Sequence, residues 1–171
     1  MAANERRLTA DEREDLLRRT WHWHDARWFA GVAQEFGMDA ANRLNRRTVR
    51  ALGQTEMRRL MKALHVANVS GVDEALQLYD AGRDLYVPPT MMDAGVSDVT
   101  DDSYEVTFHR CFVAENIVRA GIADTYLCAV FDRIEGWHDA WGMPLAERMP
   151  ARTCALAAGR PCRQRFTVLQ S

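Results

Sequence analysis

The sequence predicts an α+β fold in which N-terminal antiparallel helices precede a ββααββ half with an antiparallel sheet. Three observations predict it. Up to about residue 86 the chain is punctuated only by helix starts and stops, with connections of two to four residues. Val87-Pro88-Pro89 then breaks that texture, since proline cannot continue a helix. Beyond the prolines, β-branched and aromatic runs flank two further helical stretches. A chain of 171 residues, 47% hydrophobic and 27% charged, suits one domain with its own core. Residues 1–171 therefore read as a single domain, helical over 1–89 and ββααββ over 90–171.

Each element follows from local signals. Thr9-Ala-Asp-Glu12 is a capping box opening a long helix that Gly37 stops near Phe36. Asp39 caps a second helix ending before Gly53, and Thr55 a third through residues 57–68. Ser70 opens a fourth, closed by the prolines. The runs at 90–99 and 103–111 predict two strands around an Asp-rich turn. Helices are expected at 112–120 and 125–140, and strands again at 143–156 and 161–169.

Net charge is −2, with acidic residues interspersed among the arginines (Lys62 is the only lysine), so nucleic acid and membrane are not expected as partners. The N-terminus lacks the apolar core of a signal peptide, and no stretch nears the ~18–20 apolar residues of a membrane span. The expected location is cytoplasmic, where thiols stay reduced. Four cysteines there point to metal or catalysis before disulfides.

Their spacing is C-x16-C-x25-C-x7-C at Cys111, Cys128, Cys154 and Cys162. If 143–156 and 161–169 form a hairpin around Ala157-Ala158-Gly159, Cys154 faces Cys162, with Cβ atoms ~4.5–5.5 Å apart. Both sulfurs would then reach one tetrahedral ion at a Zn–S distance of ~2.3 Å. Cys111 and Cys128, at helix starts, complete the candidate metal set, because a helix N-terminus stabilises thiolate. Zinc is the first expectation and an iron–sulfur cluster the second. Buried reduced cysteines acting as small hydrophobes, or a Cys154–Cys162 disulfide, are the alternatives.

Cys128, Cys154 and Cys162, with a small residue and Gly before the last cysteine and Phe166-Thr-Val-Leu169 after it, resemble the 4-vinyl-reductase-like small-molecule-binding domain. That resemblance implies a zinc ion beside a ligand pocket. The family's acidic ligand falls on Ala151, which cannot ligate, leaving Cys111 or His109 to substitute. The chain also resembles the L-2-amino-thiazoline-4-carboxylic acid hydrolase-like proteins. The resemblance rests on Trp21, Asp25, Trp28 and Phe29, on Gly37-Met-Asp-Ala-Ala, on Cys111 to Gly121, on Tyr126-x-Cys128, and on Cys162-x3-Phe166. It implies water-driven opening of a thiazoline ring.

Other residues suit a site beside such an ion. His22 and His24 lie about 200° apart on a helix and cannot share a metal. His24 falls on the stripe of Leu17, Trp21, Trp28 and Val32, while His22 points away. Either that stripe is core, or Trp21, His24, Asp25 and Trp28 wall a pocket for a small aromatic or heterocycle. His109 and Cys111 alternate on a strand and face one side, and Glu115 follows one helical turn later. His109 and Glu115 are the candidate catalytic pair, with a surface Glu and an ordinary strand histidine as the alternative. His138 ends a helix, whose dipole favours imidazolium, and is read as structural. The phosphate-loop, Gly-x-Ser-x-Gly and His-Glu-x-x-His motifs are absent.

Two functions follow from this reading. One is a metal-containing enzyme, hydrolase- or lyase-like, acting on a small sulfur/nitrogen heterocycle or aromatic. The other is a non-catalytic, sensor-type ligand-binding module with structural zinc, or an iron–sulfur protein. In both the partner is a small molecule. The aromatic face at Trp23 and Phe29 also suggests a homodimer.

Overall fold

Helix α1 (Ala10–Phe36) begins at the expected box: the Thr9 hydroxyl accepts from Glu12 N, and the Glu12 carboxylate accepts from Thr9 N. Gly37, at φ +83°, ends it and turns the chain into α2 (Met38–Ala63). Then come α3 (Val72–Tyr86), β1 (Met92–Ser97), β2 (Ser103–Cys111), α4 (Phe112–Arg119), α5 (Val130–Trp141) and β3 (Cys162–Thr167). The strands form one antiparallel sheet in the order β1-β2-β3. The fold is α+β, as expected, and this computed structural model describes residues 7–169. Among them no helix is long and apolar enough to cross a membrane.

The helical half holds three helices where four were expected. Gly53 does not end a helix: α2 runs through it, and Thr55 donates its hydroxyl to Ala51 O in mid-helix instead of capping. The reason is tertiary. A Cβ on Gly53 would sit 3.1 Å from Arg133 C, and one on Gly136 would sit 2.9 Å from Gln54 N, with the carbonyl oxygens of Arg133 and Arg50 closer still. The two glycines let α2 and α5 cross backbone to backbone, in the most extensive packing between any two elements. Charges lace that crossing. Arg46 grips Asp132 at 2.9 and 3.0 Å, Arg50 grips Asp139 at 2.7 Å, and Arg133 holds buried Glu56 at 2.8 Å. These are bidentate, charge-assisted contacts that fix orientation as well as contributing energy.

The expected strand at 143–156 is also corrected. That segment joins its neighbours only through isolated bridges, Leu127 to Thr153 and Leu145 to Val168. Pro144 and Pro150 lack the N–H a ladder needs. Side chains hold the segment instead: Met149 N donates to Glu135 at 2.7 Å, and Arg46 donates to Met149 O at 3.0 Å. Strand β3 therefore pairs with β2, placing Cys162 opposite Phe108 rather than Cys154. Helix α5 starts at Val130, five residues later than expected, so Cys128 lies before the helix.

Beneath these elements lies one core. Met57, Leu60, Leu78, Tyr79, Tyr104, Val106, Phe131, Ile134, Trp137 and Phe166 bury together, joining the helical half to the sheet. His138 belongs to it, stacked on Tyr104 and Phe166 with Tyr104 Oη 2.6 Å from Nε2. Burial holds its pKa down at about 4, so the imidazole is neutral, contrary to the expectation from the helix dipole alone.

Candidate functional site: an apolar cavity backed by four thiols

Between α1, α2, α4, α5 and the sheet lies a cavity of about 500 Å³. Helix α1 presents His22, Asp25, Ala26, Phe29 and Ala30 to it, and the alanines leave the space open. Asn45 and Val49 come from α2, Phe108 from β2, Phe112, Asn116 and Ile117 from α4, and Val130, Arg133, Ile134 and Trp137 from α5. A mostly apolar wall carrying a few polar groups is the usual make-up of a small-molecule site.

The polar groups are prearranged. His22 Nε2 lies 3.3 Å from Tyr86 O, and its ring meets Phe112 edge-on at 4.9 Å. Burial, reinforced by the Arg133 charge, lowers its pKa to about 4. The neutral ring can donate Nε2–H to that carbonyl and keep Nδ1 as an acceptor. Burial raises the pKa of Asp25, one turn along α1, while His24 and Arg133 pull the other way. The Arg133 guanidinium is anchored by Glu56, and Tyr86 Oη donates to Glu56 O at 3.1 Å. Nearer α4, Tyr126 takes a 3.4 Å hydrogen bond from Asn45 and packs its ring on Phe29 at 5.3 Å.

Behind one wall stand the cysteines, all four buried and reduced. Interaction between the Cys128 and Cys154 thiols holds Cys154 down at about 6 and, with burial, pushes Cys128 well up. Burial also raises Cys111, to about 11, and Cys162. Cys111 and Cys162 both lie within electrostatic range of Cys154, and Cys111 within range of Cys128. Backbone N–H groups face three of the sulfurs: Val113 and Ala114 at Cys111, Val130 at Cys128, Leu156 and Ala157 at Cys154. The turn at 155–159, not a hairpin ladder, brings Cys154 to the group. Asn42 clamps the approach to Cys128, donating to Thr125 O at 2.7 Å and accepting from Leu127 N at 2.9 Å. Among the described residues, no three His, Cys, Asp or Glu side chains stand as a group able to hold a metal ion in this arrangement. The cavity shares this wall, since Phe112, Val113, Tyr126, Ala129 and Val130 line it beside Cys111 and Cys128.

The structure redistributes the other expected site residues. His22, not His24, points inward, while Trp21, His24 and Trp28 face solvent. Of the expected pocket wall only Asp25 lines the cavity. The true inward stripe, at positions 15, 18, 22, 25, 29 and 32, mixes polar and apolar residues. The aromatic stripe on the opposite face outweighs it in any reading by hydrophobicity. His109 and Cys111 do not share a side. The pairing of β1 with β2 shifts between Asp93 and Ala94, so His109 is the extra residue of a β-bulge. A bulge reverses the alternation: Phe108 and Cys111 go inward, His109 and Arg110 outward. His109 and Glu115 are both exposed and outside the cavity wall. Phe29 packs inward on Tyr126; Trp21, Trp23 and Trp28 are exposed, Trp21 and Trp28 on one face of α1 and Trp23 on another. His22 and Arg133 escape sequence reasoning because residues so far apart in the chain come to one cavity only in the folded protein.

No curated protein and no solved structure matches the chain. Residues 7–135, spanning α1 to the middle of α5 and so most of the cavity wall, match the model of DUF6125, a family of unknown function, and the chain belongs to that family.

Proposed function

We propose that the protein binds a small aromatic or sulfur/nitrogen-heterocyclic molecule in the cavity, and that Cys111, Cys128, Cys154 and Cys162 hold a zinc ion or an iron–sulfur cluster as a structural centre behind the wall. The observation that carries the reading is the cavity, whose size and lining suit a ligand of that kind. Thiolate is the donor a soft metal takes: the four buried cysteines come from distant parts of the chain, each lies within electrostatic range of others in the set, and three face backbone N–H groups, which stabilise bound thiolate. A four-thiolate zinc site is coordinatively closed and supplies folding energy rather than a water nucleophile.

A hydrolase or lyase is the second reading, favoured by His22 and Asp25 in the cavity wall. A neutral imidazole beside a carboxyl of raised pKa is an arrangement for general base and general acid work.

Two measurements test the proposal. Protein purified without oxygen is analysed for zinc, iron and visible colour, alongside Cys162→Ser. Stoichiometric metal that the variant loses, together with a lower melting temperature, is expected. Unchanged metal content and melting remove the ligand assignment. A panel of small aromatics and thiazole-type heterocycles is titrated against the fluorescence of Trp137, which lines the cavity. Val49→Trp, filling the cavity from α2, is expected to abolish binding while the fold is kept. Equal binding by that variant, or no binding by the wild type, defeats the cavity assignment.

A further inference from the structure

Helix α1 carries a stripe that the described residues leave exposed. Arg13, Leu17, Thr20, Trp21, His24, Trp28, Gly31 and Glu35 recur at helical spacing, all exposed, on the face away from the cavity. Leu17 is 71% exposed, Trp28 68% and Trp21 51%, with the Trp21 ring stacked toward His24 at 6.0 Å. The stripe runs about 33 Å at 1.5 Å per residue. Its middle, from Leu17 to Trp28, carries the three large apolar side chains over about 17 Å, a cluster that marks an interaction surface rather than scattered surface residues.

We propose that this stripe is the contact of a two-fold dimer in which α1 packs antiparallel on α1 of a second copy, with the axis passing at His24. The case is self-complementarity. About that axis Arg13 of one copy meets Glu35 of the other, at both ends, giving two opposite-charge pairs. The ion pairs of α1 itself use Glu14 with Arg18, Asp15 with Arg19, and His24 with Asp25, which leaves Arg13 and Glu35 for such a contact. Leu17 falls opposite Gly31, where an added Cβ would meet nothing within 4 Å, so a leucine can seat there. Trp28 falls opposite Thr20, and Trp21 opposite Arg27, within reach of a cation–π contact. Each large apolar residue, Leu17, Trp21 and Trp28, thus meets a small or cationic one, and His24 meets its own copy at the axis. A parallel pairing would instead set Arg13 on Arg13 and Glu35 on Glu35. Isologous contacts of this kind are the commonest form of homo-oligomer.

Sedimentation equilibrium on the full chain tests the proposal, with circular dichroism confirming the fold of each variant. The wild type is expected as a dimer at micromolar concentration. Trp28→Glu should raise the dissociation constant by about 30-fold or more, as loss of a central aromatic does. Arg13→Glu and Glu35→Arg should each weaken the dimer several-fold, and the double variant should restore it, because the swapped charges again meet their opposites. A wild type that stays monomeric at about 100 µM overturns the proposal, as does a monomer that co-sediments with phosphatidylcholine vesicles, which would assign the stripe to a membrane surface. Charge variants that leave the dimer unchanged overturn the antiparallel register.

Discussion

The crossing of α2 on α5 sets the shape of the cavity, and Gly136→Ala probes it directly. The added methyl would lie 2.9 Å from Gln54 N and 3.1 Å from Arg50 C, with Arg50 O nearer still. All three are backbone atoms of a helix, so no side chain can move aside. Ordinary separations need the helices to part by roughly 1 Å, a gap that forfeits a quarter to a half of each dispersion contact across the crossing. The pairs Arg46–Asp132 and Arg50–Asp139 span the same gap and would stretch with it. Overpacking against fixed backbone, on top of those losses, costs about 3 kcal/mol or more. Any helix-propensity gain from replacing glycine, about 1 kcal/mol, offsets only part of this. The assay is urea denaturation, with Gly82→Ala for comparison. There the new methyl meets the flexible end of Met57 at 3.2 Å, so crowding and propensity gain should nearly cancel. Because Val130, Arg133, Ile134 and Trp137 ride on α5, Gly136→Ala should also weaken ligand binding in the cavity. If Gly136→Ala proves no worse than Gly82→Ala, the close crossing is wrong.

Two further perturbations follow from buried polar groups. The pKa of His22 is held at about 4 by burial, below the unfolded value of 6.5. The unfolded chain therefore takes up the proton first as pH falls, and stability is lost between pH 6.5 and 4. By pH 5 this one group should cost about 2 kcal/mol relative to pH 7. His22→Phe should flatten the stability–pH curve by that amount, whereas an unchanged slope would place His22 in water. Asn42→Ala removes two hydrogen bonds to the chain before Cys128 and leaves the Thr125 carbonyl and Leu127 N–H unsatisfied. A loss of about 2–3 kcal/mol in urea is expected, with faster alkylation of Cys128 by mass spectrometry. Wild-type alkylation rates would show that the clamp does not order the thiol.

Signals contained within a few residues were legible. The Thr9–Glu12 box, the stop at Gly37 and the break at Val87-Pro88-Pro89 lie where local chemistry puts them, because their partners are three or four residues away. Strands β1, β2 and β3 were legible for a similar reason, being short β-rich runs bounded by turns. The illegible features depend on distant partners. Gly53 carries the mark of a helix terminator, yet its role is set by Arg133, 80 residues on. The bulge at His109 arises from pairing with β1. The segment at 143–156 has strand-like composition but is hung on Glu135 and Arg46.

By itself the sequence determined an α+β chain with a helical first half, a break at the prolines, and four thiols to be buried. Capping, proline geometry and hydrophobic composition act locally and hardly depend on what lies across the molecule. Tertiary structure alone decided which face of α1 turns inward, and with it that His22 rather than His24 reaches the cavity. It also decided that Cys128 meets Cys154 through a turn instead of a β-ladder. Both outcomes rest on contacts between segments distant in the chain, and so does the backbone-to-backbone seating of α5 on α2 through two glycines; no local periodicity encodes them.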